Sequence, residues 1–208
     1  DYLVEGYGEV VIQRLLDGLE KKDYEAVRKI PGLHYLKDGH YQRNPVEPIA
    51  DINKIPYLDF DELDAEYYIL GLSKWLDGAV PGNEGWVKPR AWKDLALPGS
   101  LITKEKARFL PLLTTRGCPY ECTFCFHAQT KMYYHSSDYV VGNIKYLRKK
   151  YGINGLYIQD DMFVVDPKRT KRLCDRIYEE NLGVALFASG GKPNLVTDEV
   201  LASMRRAG

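Results

Sequence analysis

Three of the four cysteines in this chain stand in one short stretch, TTRGCPYECTFCFH, from Thr114 to His127. Cys118, Cys122 and Cys125 are spaced C-x3-C-x2-C. Thiolates are soft ligands, suited to iron–sulfur clusters and to zinc. A four-iron cubane normally takes four cysteines. Three leave one iron without a protein ligand, and an open position separates a catalytic metal centre from a closed structural one. Two alternatives compete. A structural zinc site needs a fourth ligand, for which His127 is the local candidate. A disulfide is disfavoured in a chain with so few cysteines and no sign of export. Motif and context together favour the open-site cluster.

Other groups could serve such a centre. Asp160 and Asp161 close a predicted strand in IQDDMF. Adjacent carboxylates suit a cation or an ammonium group; helix capping and loop hydrogen bonding explain them equally well. After the next predicted strand come Ser189, Gly190, Gly191 and Lys192. Lys192 reads as a point charge or as a surface lysine beside a glycine turn. Cys174 falls on one helical face with Thr170, Leu173 and Ile177, so it reads as a core thiol and not as a fourth ligand.

These groups need elements to hold them. The strand RFLPLL leads into the cysteine loop. A helix capped by Ser137 or Asp138 runs to Gly152, with Val140, Ile144, Leu147 and Tyr151 on one face. A strand follows from Gly155 to Gln159. Asp166 caps and Pro167 opens a second helix. The third strand is Val184 to Ala188, and Thr197 caps a third helix with Asp198 and Glu199 in its first turn. Strand–helix alternation of this kind predicts an α/β fold with a parallel sheet and right-handed crossovers. Catalytic groups of such folds collect at the C-terminal ends of the strands. The cysteine loop, Asp160–Asp161 and Ser189–Lys192 all fall there.

Upstream, Asp1 to Glu5 reads as the end of a strand, and Gly6-Tyr7-Gly8 opens a helix with Ile12, Leu15, Leu16 and Leu19 on one face. The junction matches G-x-G-x-x-G except for Val11 at the third glycine. A broken match is weak, and a tight turn explains it. Asp23 caps a short helix through Val27. Asp38-Gly39 predicts a hairpin within Gly32–Arg43. His34 and His40 flank it and read as solvated or packed residues before metal ligands. Pro45, Pro48 and Pro56 mark a linker from Asn44 to Phe60. A short helix is expected from Asp61 to Leu70. Gly71 to Ser100 then holds Trp75, Trp86 and Trp92, either a substrate lid or a packing belt.

The 208 residues suggest one to two domains, and 45% hydrophobic content supports a packed core. Lys plus Arg equals Asp plus Glu, at 29 each, which gives no electrostatic pointer to nucleic acid or to a membrane. No apolar run approaches the ~20 residues of a membrane span. The first residues lack a basic n-region, an apolar h-region and an initiator Met. Both ends read as cut from something larger. Reduced cysteines point to the cytoplasm.

GCPYECTFCF resembles the cluster loop of the radical S-adenosylmethionine (radical SAM) enzymes, including the aromatic Phe124 before the third cysteine. The resemblance implies a four-iron four-sulfur cluster on Cys118, Cys122 and Cys125. It implies that S-adenosylmethionine chelates the open iron and is cleaved reductively to a radical that takes hydrogen from a small-molecule substrate. An external electron donor such as flavodoxin or ferredoxin is implied with it. Phe124, Asp160, Asp161, Ser189, Gly190 and Lys192 become cofactor-binding residues by the same resemblance. Asp160 to Phe163 stand where the family's Gly-Gly-Glu motif holds the methionine amino group. Lys192 stands where many relatives carry arginine, facing the methionine carboxylate.

DYLVEGYGEVVIQRLLDGL is similar to the end of the cobalamin-binding domain of one radical SAM subgroup, whose Gly-Glu-Gly-Glu run is matched by Gly6, Gly8 and Glu9 but not Tyr7. The expected organisation is then a remnant of a Rossmann-like cobalamin-binding domain with its linker (1–60), a connecting helix and Gly/Pro/Trp-rich loop (61–107), and the first three βα units of an incomplete (β/α) partial barrel (108–208). The expected function is radical carbon functionalisation, with cobalamin-dependent methyl transfer as the subgroup's form. The alternatives are a radical SAM enzyme without functional cobalamin and a non-catalytic iron–sulfur or zinc binding module. A methylthio-transferring tRNA enzyme is disfavoured, because residues 1–117 contain no cysteine for a second cluster. With half of the barrel missing, the stretch alone is expected to be a poor catalyst.

Overall fold

The structure, a computed structural model, describes residues 2–69, 108–125 and 131–208. The tryptophan-rich stretch Gly71–Ser100 and His127 lie outside the described residues. The chain divides into two compact units, Asp1–Pro56 with Glu121–Gln129, and Tyr57–Tyr120 with Thr130–Gly208.

In the first unit, β1 (Tyr2–Val4), β2 (Leu33–Lys37) and β3 (His40–Arg43) form an antiparallel sheet in the order β1-β2-β3. Asp38 and Gly39 both have positive φ, 50° and 76°. A two-residue type I′ turn demands that conformation, so the expected hairpin forms. Between β1 and β2 lie α1 (Gly8–Glu20) and α2 (Tyr24–Val27), the latter capped by Asp23, whose carboxylate accepts from Ala26 N at 3.0 Å. Val27, Ile30 and Leu33 are the core, with Val4, Val11, Leu15 and Leu19 packed on them. This corrects the expected helix stripe. Ile12 and Leu16 are 48% and 59% exposed. A core this small meets one ridge of α1, the i, i+4, i+8 row through Val11, and leaves the adjacent row outside. His34 is the packed one of the two histidines. Its ring nitrogens meet the Tyr41 hydroxyl and Glu5 Oε2, the latter at 2.8 Å. Glu5 also accepts two bonds from Arg43.

In the second unit β4 (Phe109–Leu112) is followed by a two-stranded ribbon of β5 (Thr115–Arg116) and β6 (Tyr133–Tyr134), then α3 (Ser137–Tyr151), β7 (Gly155–Ile158), α4 (Pro167–Glu179), β8 (Ala185–Ala188) and α5 (Asp198–Ala207). The parallel sheet has the order β4-β7-β8, with Leu112 opposite Ile158 and Ile158 opposite Ala188. Its strands are short apolar runs because helices cover them. Leu110, Leu112, Leu156 and Ile158 pack with Val140, Ile144 and Leu147 of α3 and with Leu173, Cys174 and Ile177 of α4.

The helix ends follow their capping residues, with one correction. Ser136 caps α3, not Ser137 or Asp138: it has extended backbone and its hydroxyl accepts from Tyr139 N at 3.1 Å. Asp138 is the second residue of the helix, where its charge meets the helix N-terminus. Asp166 and Thr197 cap α4 and α5 as expected. The expected helix from Asp61 is instead a 3-10 turn, Asp61–Leu63, broken by Asp64 in the left-handed region (φ 52°), with helix over 65–69.

The end of the predicted linker belongs to this second unit. The Tyr151 hydroxyl accepts from Phe60 N at 2.8 Å and also meets Asp59 Oδ1 at 2.8 Å. Lys150 bonds Asp59 and Asp61 at 2.7 and 2.6 Å. Among the described residues no helix is long and apolar enough to cross a membrane.

Candidate metal and cofactor site

The cysteine loop leaves the C-terminal end of β4, and its first turn is built around Thr114. Thr114 N and Thr115 N donate to Asp160 Oδ1 at 2.6 and 3.0 Å, and Thr114 Oγ1 donates to Asp160 Oδ2 at 2.5 Å. The Thr114 carbonyl accepts from Arg169 Nη2 at 2.7 Å and from His135 N at 3.1 Å. Asp160 is 4% exposed and ends β7; Arg169 is buried on α4. Burial pushes the Asp160 carboxyl above its ordinary value, against the pull of the Thr114 and Thr115 donors and of Arg169. Burial likewise lowers the Arg169 guanidinium, which Asp160 opposes. Beyond Thr115 the ribbon pairs Thr115 with Tyr134 and Arg116 with Tyr133, so the loop is closed at its base. The His135 ring stacks on Tyr139 with centroids 4.0 Å apart.

Cys118 and Cys122 are half-buried, Cys125 is exposed, and none is in a disulfide. Cys125 N donates to Cys122 O at 3.0 Å, a tight turn that leaves Phe124 91% exposed. Three soft thiols suit an iron–sulfur cluster or zinc in kind. Among the described residues no group of three or more His, Cys, Asp or Glu is gathered that could hold a metal ion. Cys174 is buried in the core, and burial pushes its thiol up to about 12.

The remaining sequence-selected residues lie at the ends of β7 and β8. Asp161, Ser189 and Lys192 are exposed. Gly190 has φ +79°, and a Cβ there would stand 2.6 Å from the Asp161 carbonyl oxygen. Val164 N donates to Gly190 O at 3.0 Å, and Val164 pairs with Gly191 in a parallel bridge. The loops after β7 and β8 are thereby laced together. The Lys192 ammonium stands 3.4 Å from the centroid of the Tyr120 ring, inside the cysteine loop. So Asp160 reaches the start of that loop, Lys192 reaches its middle, and Gly190 reaches Asp161. Thr114, Arg169 and Tyr120 were not selected from the sequence. Only Tyr120, lying between two cysteines, carried a signal there.

The first unit has a separate cavity of ≈ 210 Å³ beside the start of α1, lined by Tyr7, Glu9, Arg14, Glu47 and Lys54 among others. Its charges are of both signs.

No protein-family model matches the chain. Over its full length it is 26% identical to an uncharacterised methyltransferase of Pyrococcus horikoshii, of which it covers 38%. It is 25% identical to the anaerobic magnesium-protoporphyrin IX monomethyl ester cyclase of Rubrivivax gelatinosus, covering 33% of it. Among solved structures, the radical SAM methyltransferase TsrM from Kitasatospora setae, with cobalamin and a four-iron cluster bound, matches with a TM-score of 0.68 at 18% identity, over 100% of this chain and 37% of that one. The chain shares its fold with cobalamin-dependent radical SAM enzymes. It spans about a third of the length of the curated relatives it matches. Within that radical SAM fold, β4, β7 and β8 with their helices are a parallel, unclosed sheet, as the alternation predicts.

Proposed function

We propose that this chain carries the cysteine loop and the first half of the core of a radical SAM enzyme, and that the stretch alone does not catalyse. One observation carries the reading. The C-x3-C-x2-C loop leaves the C-terminal end of the first strand of a parallel sheet whose fold is shared with radical SAM enzymes. In this reading Cys118, Cys122 and Cys125 hold a four-iron four-sulfur cluster in the complete protein. Phe124, Ser189, Gly190 and Lys192 are contacts for S-adenosylmethionine, and of the Asp160–Asp161 pair it is the exposed Asp161 that receives its ammonium. When bound and reduced, the cluster supplies the electron that splits the sulfonium; the protein orients the partners and excludes water. A flavodoxin or ferredoxin of the cytoplasm supplies that electron, and the substrate is a small molecule.

Residues 1–60 are read as a remnant of a Rossmann-like cobalamin-binding domain with its linker, 61–107 as a connector, and 108–208 as three units of the partial barrel. The names of the relatives, a methyltransferase and a ring-forming cyclase, support radical carbon functionalisation in the whole protein, with cobalamin-dependent methyl transfer as one form.

A second reading for this stretch by itself is a radical SAM protein without functional cobalamin, or a non-catalytic iron–sulfur or zinc binding module. Among the described residues no three ligands are gathered for a metal, so their arrangement does not itself argue for a working catalytic centre. Anaerobic reconstitution of the full-length protein, followed by electron paramagnetic resonance with and without S-adenosylmethionine, separates the readings. A spectrum altered by S-adenosylmethionine is expected from the enzyme. An unaltered spectrum, with a fourth protein ligand, belongs to the module.

A further inference from the structure

All three polar atoms of Thr114 are engaged from other elements, by Asp160, Arg169 and His135. The peptide group joining Thr114 to Thr115 is gripped on both edges: its N–H donates to Asp160, and its carbonyl accepts from Arg169. A peptide held this way cannot rotate without breaking a buried, charge-assisted bond. We infer that Asp160 is a positioning residue: acting through Thr114 and Thr115, and opposite Arg169, it sets the direction in which β4 hands the chain to the cysteine loop. The inference rests on the reading of that loop as a metal site, whichever chemistry follows.

Hydrogen-bond capacity supports this role over direct ligand binding. A carboxylate has about four lone-pair sites. Thr114 N, Thr114 Oγ1 and Thr115 N fill three of them, in a residue that is 4% exposed. Asp161, next in the chain, is exposed and is the member of the pair open to an ammonium group.

Two substitutions separate geometry from charge. In Asp160→Asn, the amide oxygen can keep both N–H bonds and the amide nitrogen can donate to Thr114 Oγ1, so the clamp survives without its charge. Asp160→Ala removes all three bonds. Both are made in the full-length protein and loaded anaerobically with ferrous iron and sulfide. Iron retention is measured against a chelator, and the reduced spectrum is recorded with and without S-adenosylmethionine. The Asn variant is expected to load as the unsubstituted protein does and to keep its spectral response. The Ala variant is expected to bind iron about 10- to 100-fold more weakly, the usual cost of losing a partner behind a metal ligand. Equal loading by the Ala variant would overturn the inference. So would an Asn variant that loses iron or the S-adenosylmethionine response. If the Ala variant does not fold, the Asn variant decides alone. An unsubstituted protein that takes up no metal overturns the inference together with the reading beneath it, before any variant is compared. One that takes up a cluster unaffected by S-adenosylmethionine belongs to the module reading, and the Asn-against-Ala difference in iron retention still decides.

Discussion

The ammonium of Lys192 lies over the ring of Tyr120, 3.4 Å from its centroid, although 72 positions separate them in the chain (192 − 120). The contact ties the loop after β8 to the cysteine loop. Cation–π pairs at exposed sites are worth about 0.5–1 kcal/mol. A double-mutant cycle with Tyr120→Leu and Lys192→Met should return a coupling of about that size in urea denaturation. Tyr120→Phe, which keeps the ring face, should leave the coupling intact. A cycle that closes to zero would show that the pair is adjacent without interacting.

Gly190 is held in the left-handed region against the Asp161 carbonyl. Gly190→Ala must strain the backbone, at about 1–2 kcal/mol, and must also displace a backbone oxygen. The expected result is a loss of stability of at least that amount, with weakened S-adenosylmethionine binding in the full-length protein, read by calorimetry. Unchanged stability would mean that the β7 and β8 loops are free to part.

Asp59 and Lys150 shape the pH dependence of the second unit. Hydrogen bonding from Lys150, then from the Asp61 backbone and Tyr151, holds the Asp59 carboxyl well below the usual carboxylate range. Its contribution is therefore complete above the unfolded value of about 3.9 and is lost as pH falls through the lowered folded value. Asp59 and Asp61 raise Lys150 above the usual lysine range, so its contribution is complete below about pH 10.4 and is lost as pH rises through the raised value. Asp59→Asn should lower the denaturant midpoint at neutral pH, and the gap from the unsubstituted protein should narrow below about pH 4. A gap that stays constant down to pH 2 would sink this assignment.

Cys174 differs from the other three thiols in burial, and that burial pushes its own thiol up to about 12. Thiolate is the reactive form. Iodoacetamide at mildly alkaline pH should therefore add to Cys118, Cys122 and Cys125 of the metal-free, reduced protein, and to Cys174 only after unfolding. Cys174→Ala should retain iron loading. Mass spectrometry showing early modification of Cys174 would contradict the packing around it.

The sheet and its helices were legible because their signals are local. Apolar runs such as Phe109–Leu112 and Gly155–Ile158 are bounded by caps, and Asp166, Thr197 and Asp38-Gly39 each act within three residues of themselves. The ribbon was not legible. Thr115–Arg116 and Tyr133–Tyr134 are two residues each, too short for any alternation to register. The partners of Asp160 also lay out of reach, since Thr114 and Thr115 are 46 and 45 positions away. The stripe on α1 misled for a related reason: periodicity marks an apolar side, and only the tertiary neighbours decide which row of it is covered.

The ribbon has a consequence for metal uptake. Arg116 and Tyr133 are an antiparallel pair, so the two ends of the intervening stretch 117–132 are held together. Paired Cα atoms of that kind stand roughly 4.5–5.5 Å apart. The entropy of joining those ends is thus met during folding, before any ion arrives, and the three cysteines all lie in the stretch so closed. The closure term changes by only about 0.6 kcal/mol for each doubling of that stretch. Residues added between Cys125 and Tyr133 would therefore be tolerated, while a break in the Arg116–Tyr133 pairing would release the whole ring.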